Sequence, residues 1–402
     1  MNRRYLVFAL LAVLGSFGAC KKPKSTAAAT AKSPFALPAA SGVQRAPAGS
    51  AQRASEGAFD LVVTDSGAAL IWANPQGKGL SLSLLDPLGA ERRSEPAFDE
   101  VADAGANATQ THIAEVAAVT RGGELAIAWL EQNGNDARTR AVVRSTTDSG
   151  SAPRVIEIGP VFPPISRPRG NIAVTRTSDR FLVLARGEKE DCVDASEHDC
   201  VGFGFHRLDG AGAARQNLPL SVPLPCDQNS VSFAVAGSRW YYGVCSRATG
   251  KPVTTLFTIQ TDPEYARADR ILEGCLPLGA LAQGSDLLVV GDCGGERRGA
   301  RMHPGNAEAS ELRVDRIDAV CDSGRPILHQ LGPNGLELPL DVPRDRLEAF
   351  LPSNLAPANA RAIWTGQRLL VASPSHGNIT LKSYQCDSTM LREAPLTTKT
   401  RF

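Results

Sequence analysis

The sequence predicts an all-β protein, and two observations support this prediction. An apolar strand, a tight turn rich in Gly, Ser or Asp, and a second apolar strand follow one another six times from Phe59 onward. Short apolar segments joined by such turns are typical of β-hairpins. In addition, no amphipathic run of about 12 or more residues has the spacing of a helix. We therefore expect strands and turns throughout the folded part of the chain.

Each predicted hairpin has its own turn dipeptide. The dipeptides are Ser66-Gly67, Gly122-Gly123, Ser178-Asp179, Gly237-Ser238, Gly284-Ser285 and Thr365-Gly366. The strands that they join are 59–63 with 69–72, 113–119 with 125–129, 172–174 with 181–184, 231–235 with 240–244, 278–282 with 287–290, and 361–364 with 369–371. A third strand with alternating apolar residues follows in most units, as at 80–84, 201–205 and 379–384. A fourth is predicted at 155–158 and 326–329.

An Asp opens the turn that follows the third strand of each unit, and the spacing between these Asp residues gives the length of the repeat. An Asp at this position accepts hydrogen bonds from the backbone that follows it. The six are Asp86, Asp148, Asp209, Asp262, Asp322 and Asp387, at intervals of about 60 residues. A fixed period that contains four strands is typical of a β-propeller. The sequence thus predicts a six-bladed β-propeller with insertions at 294–307 and 336–357, and seven blades are the alternative because the gap before Arg361 is long.

The N-terminus has the three parts of a signal peptide, which we place at residues 1–19. Arg3 and Arg4 form the charged start, Tyr5–Leu14 the apolar middle, and Phe17-Gly18-Ala19 precedes Cys20. The apolar run is shorter than the ~20 residues of a membrane-spanning helix. Residues 20–56 are rich in Ala, Pro, Ser and Thr and are predicted to be a disordered tether, with the propeller domain at 57–402.

The segment Phe17-Gly18-Ala19-Cys20 resembles the lipobox of bacterial lipoproteins. That resemblance implies that Cys20 is diacylated and becomes the first residue of the mature chain. Lipid chains of this kind hold a protein on a membrane without a spanning helix. Over residues 57–402 the repeat resembles bacterial propeller lipoproteins in general. The resemblance implies an exported protein of the bacterial cell envelope, with the membrane as a partner through the N-terminal lipid, and the outer membrane is the expected location.

The other eight cysteines lie in the second half of the chain and are predicted to form four disulfides. From their positions in the repeat we pair Cys226 with Cys245 and Cys275 with Cys293 across first hairpins, Cys192 with Cys200 around an acidic loop, and Cys321 with Cys386 between blades. An exported protein favours oxidised cysteines. Their spacing is unlike that of Cys-x-x-Cys metal sites, and we predict no metal site.

Chemical motifs are scarce in the sequence. It has no Gly-x-Ser-x-Gly, His-Glu-x-x-His, P-loop or dinucleotide fingerprint, and no cofactor is predicted. A net charge of +1 argues against nucleic-acid binding. One arginine recurs near four of the first hairpin turns, which opens the alternative of a basic ring: Arg121, Arg180, Arg239 and Arg368. The tryptophans Trp72, Trp129, Trp240 and Trp364 fall in or beside first and second strands, where packing between blades is the expected role.

These observations favour a non-enzymatic role for the protein. We expect a membrane-anchored, exported lipoprotein whose β-propeller is a binding or protein-interaction module, with an envelope protein or a glycan as its ligand. Two alternatives remain at this point, an exported hydrolase or lyase that acts on glycans or peptides, and a passive structural component of the envelope. Two carboxylates with an arginine near the propeller axis would favour the enzyme, because propellers serve many functions and the fold alone does not decide.

Overall fold

Antiparallel sheets built from strands in chain order make up the described part of the molecule. The structure is a computed structural model of the full chain. It describes residues 58–74, 79–98, 112–133, 136–147, 155–161, 172–176, 181–188, 201–209, 212–216, 232–236, 240–247, 253–261, 264–283, 286–302, 310–313, 317–322, 324–331, 337–341, 347–348, 351, 354–357, 359–375, 378–388 and 390–396. These residues form seven sheets, six with four strands and one with three.

Sheets 1 to 3 contain the first twelve strands. Sheet 1 consists of β1 (Phe59–Thr64), β2 (Gly67–Ala73), β3 (Leu80–Leu85) and β4 (Glu91–Phe98). Sheet 2 consists of β5 (His112–Arg121), β6 (Glu124–Asn133), β7 (Asp136–Ser145) and β8 (Val155–Val161). Sheet 3 consists of β9 (Ile172–Arg176), β10 (Phe181–Glu188), β11 (Val201–Asp209) and β12 (Gly212–Gln216).

Sheets 4 to 7 follow the same plan. Sheet 4 consists of β13 (Ser232–Ala236), β14 (Trp240–Arg247), β15 (Val253–Thr261) and β16 (Glu264–Glu273), and sheet 5 of β17 (Leu276–Gln283), β18 (Asp286–Asp292), β19 (Arg297–Met302) and β20 (Ser310–Arg313). Sheet 6 consists of β21 (Ile317–Asp322), β22 (Arg325–Leu331) and β23 (Glu337–Asp341), and sheet 7 of β24 (Arg361–Trp364), β25 (Leu369–Ser375), β26 (Asn378–Asp387) and β27 (Met390–Ala394).

The all-β class and the six predicted hairpins are confirmed. The hairpins are β1–β2, β5–β6, β9–β10, β13–β14, β17–β18 and β24–β25. Gly122 and Gly123 form a two-residue turn with φ of 53° and 80°. Both central residues of a type I′ turn need positive φ, which glycine adopts without strain.

We predicted six units, and sheet 6 is the additional sheet that this prediction missed. Asp322 pairs with Arg325 at the turn between the first and second strands of this sheet, whereas we had placed Asp322 after a third strand. Residues 326–329 likewise belong to the second strand, β22, not to a fourth strand. The Asp spacing failed at Asp322, whereas Asp86, Asp209, Asp262 and Asp387 do end or follow third strands. The reason for the failure is that Asp favours any tight turn between antiparallel strands. The connection 303–309, between the third and fourth strands of sheet 5, contains no Asp.

The predicted insertions at 294–307 and 336–357 are also corrected, because they contain strands β19 and β23. The number of described sheets equals the number of blades in the seven-blade alternative.

Sheet 1 packs between sheets 2 and 7, because the side chains of β1 alternate between its two faces. Phe59, Leu61 and Val63 belong to a buried cluster with Ile363 and Leu370 of sheet 7. On the other face, Val62 and neighbours from β2 and β3 join a cluster with sheet 2 residues that include Val116 and Trp129. Trp129 is fully buried, and its ring centroid lies 4.9 Å from that of Phe98 in β4. A further buried cluster joins sheets 2 and 3 through Leu130, Ala141, Ile172, Phe181 and others.

The third-to-fourth turn of sheet 1 shows the predicted Asp chemistry. The Oδ1 atom of Asp86 accepts hydrogen bonds from Leu88 N at 2.9 Å and from Ala90 N at 2.8 Å. The backbone N of Asp86 in turn donates to Ala90 O at 2.8 Å. One carboxylate thus satisfies two backbone N–H groups in this five-residue turn, as the sequence indicated.

Gly67 offers a direct test of this packing. Its φ is +147°, and a Cβ atom at this position would lie 2.2 Å from the carbonyl oxygen of Leu85 on β3. We expect Gly67→Ala to lower the free energy of unfolding by about 2 kcal/mol or more, because the backbone must move to admit the methyl group. Urea unfolding followed by circular dichroism measures the loss.

Gly123→Ala is the matched control. Gly123 also has positive φ, yet a Cβ atom there would meet nothing within 4 Å. Gly123→Ala should lower the free energy of unfolding by about 1 kcal/mol, because only the left-handed backbone conformation is then unfavourable. Equal losses for the two variants would contradict the clash at Gly67.

Candidate functional site

A buried carboxylate connects the first sheet to its two neighbours. Asp60 of β1 is fully buried. Its Oδ1 atom accepts a hydrogen bond from Leu61 N at 3.0 Å, and its Oδ2 atom accepts one from Ala118 N of sheet 2 at 2.8 Å. On the other side, Nε of Arg361, the first residue of β24, lies 3.1 Å from Oδ1 and forms an ion pair. Asp60 therefore joins sheets 7, 1 and 2 at their first strands.

Glu348 completes this charged group, which we call the junction triad: Asp60, Arg361 and Glu348. Nη1 of Arg361 donates to Oε1 of Glu348 at 2.9 Å, and the N–H of Ala362 donates to Oε2 at 3.2 Å. The side chains of Arg361 and Glu348 are each only 18% exposed. Breaking such a buried pair by removing one partner is costly, since the other charge stays buried without compensation.

Sheets 1 and 2 are also connected farther from their first strands. Arg144 of β7 forms an ion pair with Glu95 of β4 and donates from Nη1 to Pro96 O at 3.0 Å. Burial lowers the pKa of Arg144, and the carboxylate of Glu95 opposes this shift by favouring the charged form. Glu95 also pairs with Arg93 on its own strand. The ion pair between Arg144 and Glu95 therefore joins sheet 2 to sheet 1.

The first strands of sheets 1, 2 and 3 end side by side. The hydroxyl of Thr120 in β5 donates to the carbonyl oxygen of Val63 in β1. In the same way, Nη1 of Arg176 at the end of β9 donates to Thr120 O at 2.9 Å. The three strands therefore run in the same direction, and their first turns emerge at the same end.

Sheet 7 presents its first turn at that end as well. The hydroxyl of Thr365, just after β24, donates to Pro87 O at 2.7 Å, and Pro87 lies in the third-to-fourth turn of sheet 1. The hydroxyl of Ser383 donates to Leu88 O of the same turn at 3.4 Å. We call this end, where the first-to-second and third-to-fourth strands connect, the turn end. The opposite end, where second-to-third strands and consecutive sheets connect, is the loop end.

The two ends differ in the length of their connections. Between the described strands, the longest connection at the turn end is 146–154, with nine residues. Four connections with both ends at the loop end have ten or more residues: 99–111, 162–171, 189–200 and 217–231. The connection 342–360 starts at the turn end, where the third strand β23 of sheet 6 ends, and reaches the loop end at the start of β24. Long surface connections are where binding residues concentrate, since they vary without disturbing the sheets that carry them.

Two of the four predicted cysteine pairs are disulfides in the structure. Cys275 and Cys293, with Cα atoms 4.0 Å apart, flank the paired residues Leu276 and Asp292 at the loop end of sheet 5. Cys321 and Cys386, with Cα atoms 5.5 Å apart, join β21 of sheet 6 to β26 of sheet 7. The second pair was predicted between blades, although Cys321 lies on a first strand and not at a third-to-fourth turn.

Other predicted positions fall partly outside the described residues. Cys20, Cys192, Cys200 and Cys226 lie outside them, and Cys245 is described only as part of β14. Arg180 and Arg239 also lie outside, whereas Arg121 and Arg368 both flank first turns at the turn end. Trp129 and Trp364 are buried in the sheets, in line with their predicted packing role.

The junction triad was not found by sequence reasoning. The usable signal was an acid in the middle of an apolar strand, Phe59-Asp60-Leu61. A charge at such a position is seldom left without a partner, because burial of an unpaired carboxylate is expensive. The partners, Arg361 and Glu348, lie some 300 residues away along the chain, and no local pattern points to them.

In the part of the chain that the structure describes, no three His, Cys, Asp or Glu side chains are grouped so that they could hold a metal ion. Among the same residues there is no helix with the length and apolar character needed to cross a membrane.

Comparison with known proteins identifies no family. No protein-family model matches the chain, and no curated protein matches it either.

Several solved structures are similar to this chain at low sequence identity. A xylan β-1,4-xylosidase from Bacillus halodurans is 9% identical, with a TM-score of 0.39 and coverage of 87% of this chain and 84% of that one. Prolyl oligopeptidase B from Galerina marginata is 12% identical, with a TM-score of 0.46 and coverage of 85% of this chain and 53% of that one. This chain thus spans about half the length of the peptidase.

A third similar structure is the β-propeller domain of the Trilobed protease from Pyrococcus furiosus. It is 12% identical, with a TM-score of 0.38, and the match covers 70% of this chain and 84% of that one. What these proteins hydrolyse is a property of those proteins and is not carried over to this chain.

The junction triad predicts a large effect of a single buried substitution. We expect Asp60→Ala to lower the free energy of unfolding by about 3 kcal/mol or more, because it removes an acceptor of two backbone N–H groups and a partner of the Arg361 guanidinium. Urea unfolding of the full chain measures the loss.

Asp387→Ala is the matched control, because Asp387 pairs with Arg392 on the surface, with both side chains about half exposed or more. Its cost should stay below about 1 kcal/mol. A loss at Asp60 as small as that at Asp387 would show that the triad does not hold the sheets together.

Proposed function

We propose that this protein is a lipoprotein of the bacterial cell envelope, a seven-bladed β-propeller on a tether, that binds an envelope protein or glycan at its loop end. The observation that carries the binding surface is the concentration of long connections at that end. Each sheet is a rigid support, and the connections between supports supply a surface that can change independently of the core.

A closed ring of blades is supported by the contacts between sheets. Buried clusters join sheet 1 to sheet 2, sheet 2 to sheet 3 and sheet 7 to sheet 1. A disulfide joins sheet 6 to sheet 7. A blade can bury its two faces only against neighbours, so contact between the first and last sheets is what a ring needs.

The junction triad is not the catalytic site of a hydrolase in this proposal. It has the two carboxylates and the arginine that a hydrolase site would use. However, Asp60 is fully buried and already accepts from two backbone N–H groups, and Glu348 accepts from Arg361 and from Ala362 N. Carboxylates occupied in this way hold sheets together and are not positioned to transfer a proton to a substrate.

The proposed anchor is the lipid on Cys20, with residues 20–56 as the tether. Two or three acyl chains hold a protein firmly on a membrane, since each buried CH₂ contributes about 0.8 kcal/mol. The tether composition, rich in Ala, Pro, Ser and Thr, is typical of a spacer that would hold the folded part off the membrane.

Metabolic labelling tests the anchor. Cells that express the full chain with a C-terminal tag should incorporate labelled palmitate into it, and Cys20→Ser should abolish the label and release the protein from the membrane fraction. Cys275→Ser is the control, because it removes a cysteine far from the signal peptide and should keep the label. Label that persists in Cys20→Ser would contradict acylation at this residue.

Site-specific photo-crosslinking in cells tests the binding surface. A benzophenone amino acid at the exposed loop-end positions Glu296 or Asn378 should give a discrete adduct of higher mass. The same probe at the exposed turn-end positions Asp65 or Gln367 should give none. Adducts that form equally at both ends, or at neither, would contradict the proposal. Turnover of a glycan or peptide panel by the purified protein would favour the hydrolase.

A further inference from the structure

Three arginines lie at the turn end of neighbouring sheets, and none of them forms an ion pair with an acid among the residues that the structure describes. Arg121 is the last residue of β5, Arg176 is the last residue of β9, and Arg368 precedes β25. Because Nη1 of Arg176 donates to Thr120 O, its guanidinium lies beside the backbone that carries Arg121. Arg368 belongs to the first turn of sheet 7, on the other side of sheet 1. We call these three side chains the arginine arc.

Two polar groups at this end lack hydrogen bonds within the part of the chain that the structure describes. Nη1 of Arg368 is buried and donates to no acceptor. The hydroxyl of Thr64, the last residue of β1, is likewise buried without a partner, in a residue that is 6% exposed. Such groups are rare in folded proteins because burial without a partner is costly. A ligand that supplies acceptors would remove that cost.

The carboxylates near the arc do not neutralise it. Asp65 and Glu124 lie in the same first turns and are exposed, and the structure shows no ion pair between them and Arg121, Arg176 or Arg368 among the described residues. Elsewhere in the fold, by contrast, arginines such as Arg144 and Arg361 meet a carboxylate. Within the described part of the chain, the arc therefore carries positive charge that no carboxylate pairs with.

We propose that the arginine arc binds a small ligand with two or more anionic groups, carboxylates or phosphates. Planar guanidinium groups donate paired hydrogen bonds to such groups, and arginines from two sides of sheet 1 require a ligand with more than one anion. Thr64 ends β1 of sheet 1, whose neighbours are the sheets that carry Arg368 and Arg121, and in this proposal its hydroxyl supplies a further hydrogen bond. This site is at the turn end and is separate from the partner surface proposed at the loop end.

Calorimetric titration of the full-length protein in detergent tests the site. The probes are tricarballylate, with three carboxylates, and inorganic pyrophosphate, and the controls are acetate and glycerol. We expect saturable binding of one or both polyanions, weakened by added salt, with acetate at least about tenfold weaker. Binding of tricarballylate alone would assign the site to carboxylates, and binding of pyrophosphate alone to phosphates.

Single substitutions locate the binding. Arg121→Gln and Arg368→Gln should each weaken binding of the polyanion about tenfold or more, and Thr64→Val should weaken it while conserving the shape of the side chain. Arg92→Gln is the matched control, because Arg92 is an exposed arginine on the outer strand β4 and should leave binding unchanged. The polyanion should raise the melting temperature of the wild type and of Arg92→Gln but not that of Arg121→Gln.

Three results would overturn the site. They are no binding of either polyanion at millimolar concentration, equal binding of acetate, and equal weakening by Arg92→Gln and Arg121→Gln. Because crosslinking at the loop end uses other residues and another readout, failure of the arc would leave the proposed partner surface standing, and failure of the crosslinks would leave the arc standing.

Discussion

The contact between the first and last sheets is the constraint on which the rest of the molecule depends. Every described sheet takes its strands from one continuous stretch of chain, so no strand is shared between the two ends of the chain. Side chains must therefore hold sheet 7 to sheet 1. They do so with an apolar cluster, two hydroxyl-to-carbonyl hydrogen bonds and the ion pair of Asp60 with Arg361. Of these, the carboxylate of Asp60 is the one group that also reaches sheet 2.

The outer strands show a second constraint, the need to avoid pairing with other chains. An exposed strand at a sheet edge is a template for further strands, and proline at such an edge removes a backbone donor. Pro96 of β4, Pro160 of β8 and Pro339 of β23 each lie on the last described strand of a sheet. These three edges are therefore poor templates for strand addition.

Local chemistry decided which parts of the fold could be predicted from sequence. The six first hairpins were predictable because turn residues such as Gly122 and Gly123 act within four residues. The pair Cys275 and Cys293 was predictable for the same reason, since both flank one hairpin. Sheet 6 was missed because an Asp marks a tight turn but not which strands it joins. The partners of Asp60 were missed because a side-chain contact between distant parts of the chain leaves no periodic pattern.

The distribution of charge separates groups that serve the fold from groups that are available to a ligand. Asp60 is buried and Glu348 is half-buried, with the acceptors of both occupied, and Arg144 shares Glu95 with Arg93. Asp60 and Arg144 are satisfied between sheets and Glu348 by the first residues of β24, so these charges are structural elements whatever their resemblance to catalytic groups. Arg121 and Arg368 differ, because no ion pair joins either of them to an acid within the residues that the structure describes, whereas Arg144 and Arg361 each meet a carboxylate. Charged side chains that form no ion pair within the fold therefore indicate a ligand site better than a large number of charges does.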